Sequence, residues 1–431
     1  MKLVIRNGRV ICPSTSYDNV SDVLIEDGRI AAVGQNLSSP DAEALDASGL
    51  IVAPGFIDIH VHLREPGFEH AETIESGSRA AAAGGFSTIC CMPNTMPVND
   101  SATVTSYIVE RARRHAVVNV FPIGAITKGS QGEQLAAISS MVAAGAVAIS
   151  DDGRPVMNSR VMRRAMETAS ELGIPVIDHC EDLNLSGDGD MHECLNSVRL
   201  GLSGIPSAAE DVMVARDILL AELTGAHYHV AHISTTHAVG MVAFAKQRGL
   251  SVTAEATPHH IALHTGVMPP YDSDYKMKPP LRGAHDVDAV VNGLVDGGID
   301  CIASDHAPHA GDDKMQEFEK CPFGIIGLET SVSTSLEVLV HSGRLSLTRM
   351  IALFTSEPAR VIGWKNDQSR GALKAGFVGD VTLLDPNREW TYDVNKSFSK
   401  SKNSPFHNHT FRGGPVATIV GGQVVWRCDG F

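Results

Sequence analysis

The sequence predicts an α/β protein in which a (β/α)8, TIM-like barrel carries a small β-sandwich domain built from both termini. Two observations predict this fold. The middle of the chain alternates eight short apolar runs with amphipathic stretches, as a (β/α)8 barrel does. Both ends instead carry apolar runs around glycine turns, and neither end has enough strands for a stable sheet alone. We therefore expect one β-domain from residues 1–53 and 366–431, and a barrel from residues 54–365.

The terminal regions contain three turn signals. Asn7-Gly8, Asp27-Gly28 and Gly421-Gly422 each separate two short apolar runs. Two-residue hairpin turns need positive φ, which explains a glycine after asparagine or aspartate. The sequence therefore predicts three hairpins, and residues 379–385 predict a further strand.

Each apolar run of the middle predicts one barrel strand. The runs are 52–60, 86–92, 117–125, 146–150, 174–179, 227–234, 251–257 and 299–305. Residues 161–172 and 208–223 are amphipathic and predict helices between strands. An open, doubly wound sheet is the structural alternative. Its usual dinucleotide-binding form is excluded because no GxGxxG follows the first strand.

Composition and charge exclude several classes of function. The 35 Lys and Arg residues against 50 Asp and Glu give a net charge of −15, which argues against nucleic acid and anionic membranes as partners. Arg6 and Arg9 interrupt the first apolar stretch, so no signal-peptide core is expected there. The uncharged run 134–150 is too short for a membrane span. The eight cysteines form no CxxC, which predicts a reduced, cytoplasmic protein.

Histidines and aspartates end five of the predicted strands, where a barrel of this kind has its active site. His60 and His62 are two residues apart in a strand, so both imidazoles face the same space. The fourth run ends in Asp151-Asp152, and either carboxylate could be the functional one or a helix cap. The remaining strand-end residues are His179, His232 and Asp305. Imidazole and carboxylate groups at one face predict a metal site suited to zinc.

At these strand ends the chain resembles a known family. The motifs are GFIDIHVHLREPG (55–67), CMPNT (91–95), SDDG (150–153), DHCED (178–182), AHIST (231–235) and SDHAPH (304–309). They resemble dihydroorotases of the long, class I type, a branch of the metal-dependent amidohydrolase superfamily. The resemblance continues through PFGIIGLET (322–330) to SKSKNSPF (399–406), so it covers nearly the whole chain.

The resemblance implies one or two zinc ions. The implied ligands are His60, His62, Asp152, His179, His232 and Asp305. Many relatives bridge two ions with a carboxylated lysine, but no lysine lies between Lys128 and Lys246, so Asp152 would supply the bridge here. The resemblance also implies that Asp305 is the catalytic acid and base, which carries a proton between water and the amide nitrogen.

It further implies a set of substrate contacts. Arg64, Asn94 and His309 would hold the substrate carboxylate, with His62 beside them, because a guanidinium can grip a carboxylate with two hydrogen bonds. The backbone of Phe323 and Gly324 would contact the substrate ring. The chain departs from the family at Lys278, where asparagine is usual. Lysine adds a charge and cannot accept a hydrogen bond.

The function that the resemblance implies is the interconversion of N-carbamoyl-L-aspartate and L-dihydroorotate in pyrimidine biosynthesis. The first alternative is a different cyclic amidohydrolase: a dihydropyrimidinase, a hydantoinase or an allantoinase. Those branches, however, usually carry the lysine bridge. A non-catalytic dihydroorotase-like subunit of aspartate transcarbamoylase is the second, although such subunits typically lose ligands. For an active enzyme, the resemblance leaves a homodimer and a complex with aspartate transcarbamoylase open.

Overall fold

The computed structural model describes residues 2–364 and 369–431. Its strands are β1 (Lys2–Cys12), β2 (Tyr17–Glu26), β3 (Arg29–Gly34), β4 (Glu43–Asp46), β5 (Ile51–Pro54), β6 (Phe56–Val61), β7 (Phe86–Cys91), β8 (Asn119–Pro122), β9 (Val176–Asp178), β10 (Met191–His192), β11 (Gly204–Ile205), β12 (Tyr228–Val230), β13 (Val252–Ala256), β14 (Cys301–Ile302), β15 (Val381–Thr391), β16 (Thr410–Val420) and β17 (Gln423–Arg427). Its α-helices are α1 (Ile74–Ala83), α2 (Ala102–His115), α3 (Ile138–Ala143), α4 (Ser159–Leu172), α5 (Leu183–Ser186), α6 (Leu195–Leu200), α7 (Ala208–Thr224), α8 (Thr236–Gln247), α9 (Pro258–Ala262), α10 (Ala284–Asp296), α11 (Gly311–Lys314), α12 (Ser331–Ser335), α13 (Leu347–Phe354) and α14 (Ser356–Ile362).

Strands from both ends of the chain join in one mixed, eight-stranded sheet. Its order is β17-β16-β15-β5-β1-β2-β3, with β4 paired to β1. The two halves meet where β15 runs antiparallel to β5. The expected boundary between residues 365 and 366 lies outside the described residues, so the exact division into domains stays a prediction.

Two of the three expected hairpins are confirmed. The turn Asp27-Gly28 joins β2 to β3, and Gly421-Gly422 joins β16 to β17. The expected hairpin at Asn7-Gly8 is wrong, because β1 runs through both residues and its register against β2 shifts there. Asn7 has a φ of 63°, so the positive φ that suggested a turn serves a β-bulge instead.

Parallel strands form the barrel around the site. One sheet has the order β6-β7-β8 and the other β14-β13-β12-β9. Isolated bridges close the ring: Ile149 pairs with Gly124 and with Val176, and Val61 pairs with His306. The fourth expected strand, 146–150, is thus reduced to these bridges. The first expected run, 52–60, is divided, because β5 belongs to the terminal sheet and β6 begins the barrel.

The helices between the barrel strands follow from local sequence. The expected helices 161–172 and 208–223 correspond to α4 and α7. Asn158 caps the start of α4 by accepting from the amide of Arg160, and Gly173 ends it with a φ of 68°. The buried side of α4 carries residues at helical spacing: Met162, Ala165, Met166 and Ala169. Among the described residues, every helix is too short or too polar to cross a bilayer.

Candidate metal centre and active site

The six expected metal ligands converge at the carboxyl ends of the barrel strands. His60 Nε2 lies 3.4 Å from Asp152 Oδ1 and 3.5 Å from Asp305 Oδ1. His62 Nε2 lies 3.0 Å from Asp305 Oδ1 and 3.5 Å from Asp152 Oδ2. Atoms bound about 2.1 Å from one zinc ion at tetrahedral angles lie about 3.4 Å apart. The spacing of these four side chains therefore fits a shared metal ion.

Asp152 also faces the other two histidines. His179 Nδ1 and His232 Nε2 lie 2.9 Å apart, and Asp152 Oδ1 is 3.8 Å and 3.6 Å from them. One carboxylate thus lies between two groups of imidazoles. This is the position that a residue bridging two metal ions would occupy.

Unpartnered atoms provide a test of the metal assignment. His60 Nε2 and Asp152 Oδ1 are buried and have no hydrogen-bond partner among the described residues. Buried polar atoms are almost always paired, since leaving one unpaired is costly. The sets His60–His62–Asp305 and His60–Asp152–His232 each bring three ligand atoms within 4.8 Å of one another. A bound cation fits both the donor types and the unpaired atoms.

In three of these histidines, the ring nitrogen that points away from the cluster is hydrogen-bonded to an oxygen acceptor. The pairs are His60 Nδ1 with Glu255 Oε1 (2.5 Å), His62 Nδ1 with Asn94 Oδ1 (2.9 Å), and His179 Nε2 with Glu181 Oε2 (3.1 Å). Such outer contacts fix the tautomer and the orientation of metal-binding imidazoles. In each ring the other nitrogen, which faces the cluster, is left with its lone pair for a metal.

The cluster keeps its carboxylates ionised. Burial raises the pKa of Asp152, but the neighbouring imidazoles of His60 and His232 outweigh burial and hold that pKa well below its usual range. Burial likewise raises the pKa of Asp305, and its interactions with the neighbouring His60 and His62 bring it below its usual range. Both groups therefore have the protonation state that metal ligation needs.

Asp151 and its neighbour have different environments. Asp151 Oδ1 accepts from the backbone N–H groups of Ile126 (2.8 Å) and Thr127 (3.1 Å), and its Oδ2 accepts from the Thr127 hydroxyl. Its carboxylate is thus occupied in joining the third and fourth strand ends. Of the two aspartates that the sequence offered, the structure brings Asp152 into the cluster.

The expected substrate residues lie beside the cluster. Arg64 Nε donates to the carbonyl of Pro308 (3.1 Å), and its Nη2 lies 3.3 Å from His309 Nε2. His309 Nε2 is also 2.8 Å from the carbonyl of Phe323. Burial lowers the pKa of Arg64 to about 10, so the guanidinium stays charged at neutral pH. Arg64, His309 and the 323–324 backbone thus form one contiguous surface.

Lys278 lies beside the ring of Phe323 and is paired with Glu181. Its Nζ donates to Glu181 Oε1 at 2.8 Å and lies 4.9 Å from the centre of the Phe323 ring. Because Glu181 also accepts from His179, the ammonium is one residue removed from the expected ligands. The extra charge of Lys278 is therefore paired.

Comparison with known proteins shows which family the chain is similar to. A family profile described as Dihydro-orotase-like matches residues 49–238. A curated dihydroorotase from Solibacter usitatus is 67% identical over 426 residues, which are 99% of this chain and 98% of the relative. The chain belongs to the dihydroorotase family. A second member, from Citrifermentans bemidjiense, is 53% identical over 99% of this chain and 100% of its own length.

Solved structures of other amidohydrolases share the fold. An L-hydantoinase (dihydropyrimidinase) from Arthrobacter aurescens superposes with a TM-score of 0.88 at 26% identity, over 99% of this chain and 96% of its own. A D-hydantoinase (dihydropyrimidinase) from a Thermus species gives 0.82 at 26% identity, over 99% and 95%. These matches confirm the expected barrel with its terminal β-domain. Their lower identity separates the hydantoinases from the dihydroorotase family to which this chain belongs.

Three of the expected site residues have strained backbones. Arg64, His232 and Asp305 have φ values of 61°, 31° and 46°, which residues other than glycine rarely adopt. Such strain is concentrated at functional sites, where the surrounding structure enforces it. His232 and Asp305 are two of the expected metal ligands, and Arg64 is the residue expected to bind the substrate carboxylate.

Sequence reasoning missed two residues of this site. Glu255 lies inside the seventh apolar run, and an ionisable residue within a buried strand was the available signal. His259 follows the same strand in Thr257-Pro258-His259-His260 and is only 2% exposed, with its Nε2 unpartnered among the described residues. Burial lowers the pKa of His259 to about 4, so its ring is neutral. The seventh strand and the residues that follow it therefore also contribute to the site.

Proposed function

We propose that this protein is a zinc-dependent dihydroorotase that interconverts N-carbamoyl-L-aspartate and L-dihydroorotate in pyrimidine biosynthesis. The observation that carries the proposal is the proximity of a six-residue metal cluster to an arginine suited to a carboxylate. Family membership supports the reaction, and the donor set of four imidazoles and two carboxylates supports zinc.

His60, His62 and Asp305 would hold one ion, and His179 and His232 a second, with Asp152 shared between them. A bound metal supplies polarisation of the ring amide carbonyl and a water molecule of lowered pKa. The outer partners Glu255, Asn94 and Glu181 keep the imidazole lone pairs directed at the cluster.

Asp305 is the proposed acid and base. In hydrolysis, the water oxygen bonds to the amide carbon, the ring C–N bond breaks, and the nitrogen gains a proton. Asp305 would take that proton from water and deliver it to the leaving nitrogen, as one carboxylate can when it lies beside both. Its depressed pKa, set by neighbouring histidines, means that Asp305 is ionised at the start, which is the form able to accept a proton.

Arg64, Asn94 and His309 form the proposed carboxylate clamp. The guanidinium of Arg64 is held by Pro308 and lies against His309, so its orientation is fixed before substrate binds. Such preorganisation aligns the ring with the metal cluster. Phe323 and Gly324 complete the ring-binding surface, and Lys278 adds charge beside it.

The decisive experiment pairs metal analysis with an assay of L-dihydroorotate hydrolysis. We expect one or two zinc ions per chain, turnover of dihydroorotate, and little turnover of dihydrouracil or hydantoin, which lack the carboxylate. Efficient hydrolysis of dihydrouracil would favour the dihydropyrimidinase alternative. A protein that binds zinc but turns over none of these rings would favour the non-catalytic alternative.

We also propose a cytoplasmic location, supported by all eight cysteines being free thiols. The homodimer and the complex with aspartate transcarbamoylase rest on the family resemblance alone and stay predictions.

A further inference from the structure

A tight turn at Phe323-Gly324 forms one wall of the carboxylate clamp. The carbonyl of Phe323 is 2.8 Å from His309 Nε2. Gly324 has a φ of 131°, and a Cβ there would lie 2.7 Å from the Cβ of Ala307. The turn therefore packs directly against the loop that carries His309, so its position controls the position of that ring.

The side chain of Lys314 is hydrogen-bonded to the backbone of this turn. Its side chain is buried, with 6% of the residue exposed, although lysine is almost never buried without a specific partner. Its Nζ donates to the carbonyls of Pro322 and Gly324, both at 3.1 Å, and to that of Lys276 at 3.4 Å. The three hydrogens of the ammonium are thus matched to three backbone acceptors on two segments.

The side chain of Asn403 is also hydrogen-bonded to the backbone of this turn. Its Nδ2 donates to the carbonyls of Gly324 and Ala307, both at 3.0 Å, and its Oδ1 accepts from the backbone N–H of His309 at 3.2 Å. Asn403 is 4% exposed and lies in the SKSKNSPF motif, to which the metal chemistry gives no role. One amide side chain therefore joins the turn to the His309 loop.

The segment around Asn403 is itself hydrogen-bonded to two loops that follow barrel strands. We call residues 397–404 the strap. The hydroxyl of Ser399 donates to Glu72, that of Ser401 donates to the carbonyl of Ala71 at 2.7 Å, and the N–H of Ile326 donates to the carbonyl of Asn403 at 2.9 Å. The strap thus joins the loop after β6 to the loop after β14, and Asn403 is placed by both.

We propose that Asn403 and Lys314 are positioning residues for substrate binding, which fix His309 and the Phe323-Gly324 turn so that the carboxylate clamp is preformed. Neither residue touches the metal cluster. The inference rests on the proposed function, because it assigns both residues to binding of the substrate carboxylate. It gives the SKSKNSPF motif a role in recognition that is separate from the chemistry.

The charges around Lys314 make its contribution depend on pH. Burial lowers the pKa of Lys314 to about 8, with Cys321, Asp274 and Asp272 opposing the shift and Lys276 adding to it. Below that pH the ammonium supplies three donors, whereas the neutral amine supplies two, so one of the three carbonyls loses its partner. The turn should therefore loosen as the pH rises from 7 to 9.

The test uses the metal-loaded enzyme and L-dihydroorotate. We expect Asn403→Ala and Lys314→Met to raise KM by at least about tenfold while kcat changes less than about threefold, since the clamp is misplaced and the reacting centre is intact. Asn395→Ala and Lys320→Gln are matched controls, because Asn395 is exposed and the Lys320 side chain is 67% exposed with Glu317 as its ion-pair partner. Both controls should keep the unmodified KM. Zinc content should be unchanged in all four variants.

Two further measurements separate positioning from folding. In the unmodified enzyme KM should rise above about pH 8, whereas Lys314→Met should show a high KM that is flat from pH 7 to 9. Backbone amide exchange within 322–326 should speed up in Asn403→Ala. An unchanged KM in both variants, or a lowered melting temperature with normal KM, overturns the inference. If the unmodified enzyme does not turn over dihydroorotate, the proposed function is wrong. Amide exchange would still test whether Asn403 stabilises the turn.

Discussion

Glu255 Oε1 lies 2.5 Å from His60 Nδ1, although the two residues are 195 positions apart in the chain. Glu255 is fully buried, and its Oε2 also accepts from His229 Nε2 at 3.2 Å. Burial raises the pKa of Glu255, but its interactions with His60 and His229, which include a hydrogen bond from each ring, bring it to about 2. The carboxylate therefore stays charged and fixes the ring that presents Nε2 to the metal cluster.

Replacement of this carboxylate should weaken metal binding. Glu255→Gln keeps the shape but can accept only a weaker hydrogen bond from His60, so we expect zinc affinity to fall about 10- to 100-fold. Competition with a chromogenic chelator measures this directly. Glu171→Gln, on the exposed side of α4, removes the same charge and should leave the affinity unchanged. Equal affinities for the two variants would show that His60 needs no carboxylate behind it.

The adjacent aspartates 151 and 152 should respond oppositely to substitution. Asp152→Ala removes the carboxylate shared by both halves of the cluster, so zinc content and activity should fall together. Asp151→Asn should keep zinc but destabilise the fold by about 1–3 kcal/mol, because it weakens the hydrogen bonds to Ile126 and Thr127. Metal analysis and thermal unfolding distinguish the two. Loss of zinc from Asp151→Asn with zinc retained in Asp152→Ala would reverse the assignment.

The strand-end ligands could be predicted because a strand has a fixed two-residue period. That period places His60 and His62 on one side, and the apolar runs show where each strand ends. The two-residue period cannot choose between Asp151 and Asp152. The side chains of adjacent residues point to opposite sides of a strand, and which of them faces the site depends on where the strand ends. The two were separated by the amides of residues 126 and 127, which only the folded barrel brings to Asp151.

Other features could not be predicted because their partners are distant in sequence. Asn403 contacts His309 across 94 positions, and Glu255 contacts His60 across 195. The Asn7-Gly8 prediction failed for a local reason. A hairpin turn and a β-bulge both need positive φ, so the dipeptide indicates the backbone angle without specifying the structure that uses it.

Asp305 should prove essential for turnover beyond its contact with metal. Asp305→Asn preserves the shape of the side chain but cannot carry a proton from water to the amide nitrogen. We expect kcat to fall about 10²- to 10⁴-fold, measured with zinc content determined on the same sample. Asp312→Asn, which changes an exposed carboxylate of α11, is the control and should behave as the unmodified enzyme. Near-normal turnover by a zinc-loaded Asp305→Asn variant would assign the proton transfer to another group.

Lys278 should prove compatible with the family's chemistry. Its ammonium is paired with Glu181, which itself accepts from His179, so the charge does not reach the metal cluster uncompensated. Lys278→Asn restores the usual residue of the family, and we expect it to keep turnover of dihydroorotate within about tenfold, the scale of one lost charge-assisted hydrogen bond. Abolished turnover in steady-state assays would mean that this site binds its substrate differently from its relatives.

Arg64 should set the preference for a substrate with a free carboxylate. Its guanidinium is oriented by Pro308 and lies 3.3 Å from His309 Nε2, so it is held beside a second member of the proposed clamp. A carboxylate there forms paired, charge-assisted hydrogen bonds. Dihydrouracil would leave the charge unpaired, at a cost of roughly 1–3 kcal/mol or more for a charged group, so kcat/KM should favour dihydroorotate by at least about 10²-fold.

Substitution of Arg64 tests whether this one side chain carries the preference. Arg64→Met keeps much of the volume and removes the charge, so the ratio of kcat/KM for dihydroorotate to that for dihydrouracil should fall most of the way to one. Zinc content should stay unchanged, because Arg64 contributes no metal ligand. Arg79→Met, which changes an exposed arginine of α1 that is paired with Glu75, should keep the unmodified ratio. If Arg64→Met retained the full preference, recognition of the carboxylate would have to come from Asn94 and His309, because these are the other two members of the clamp.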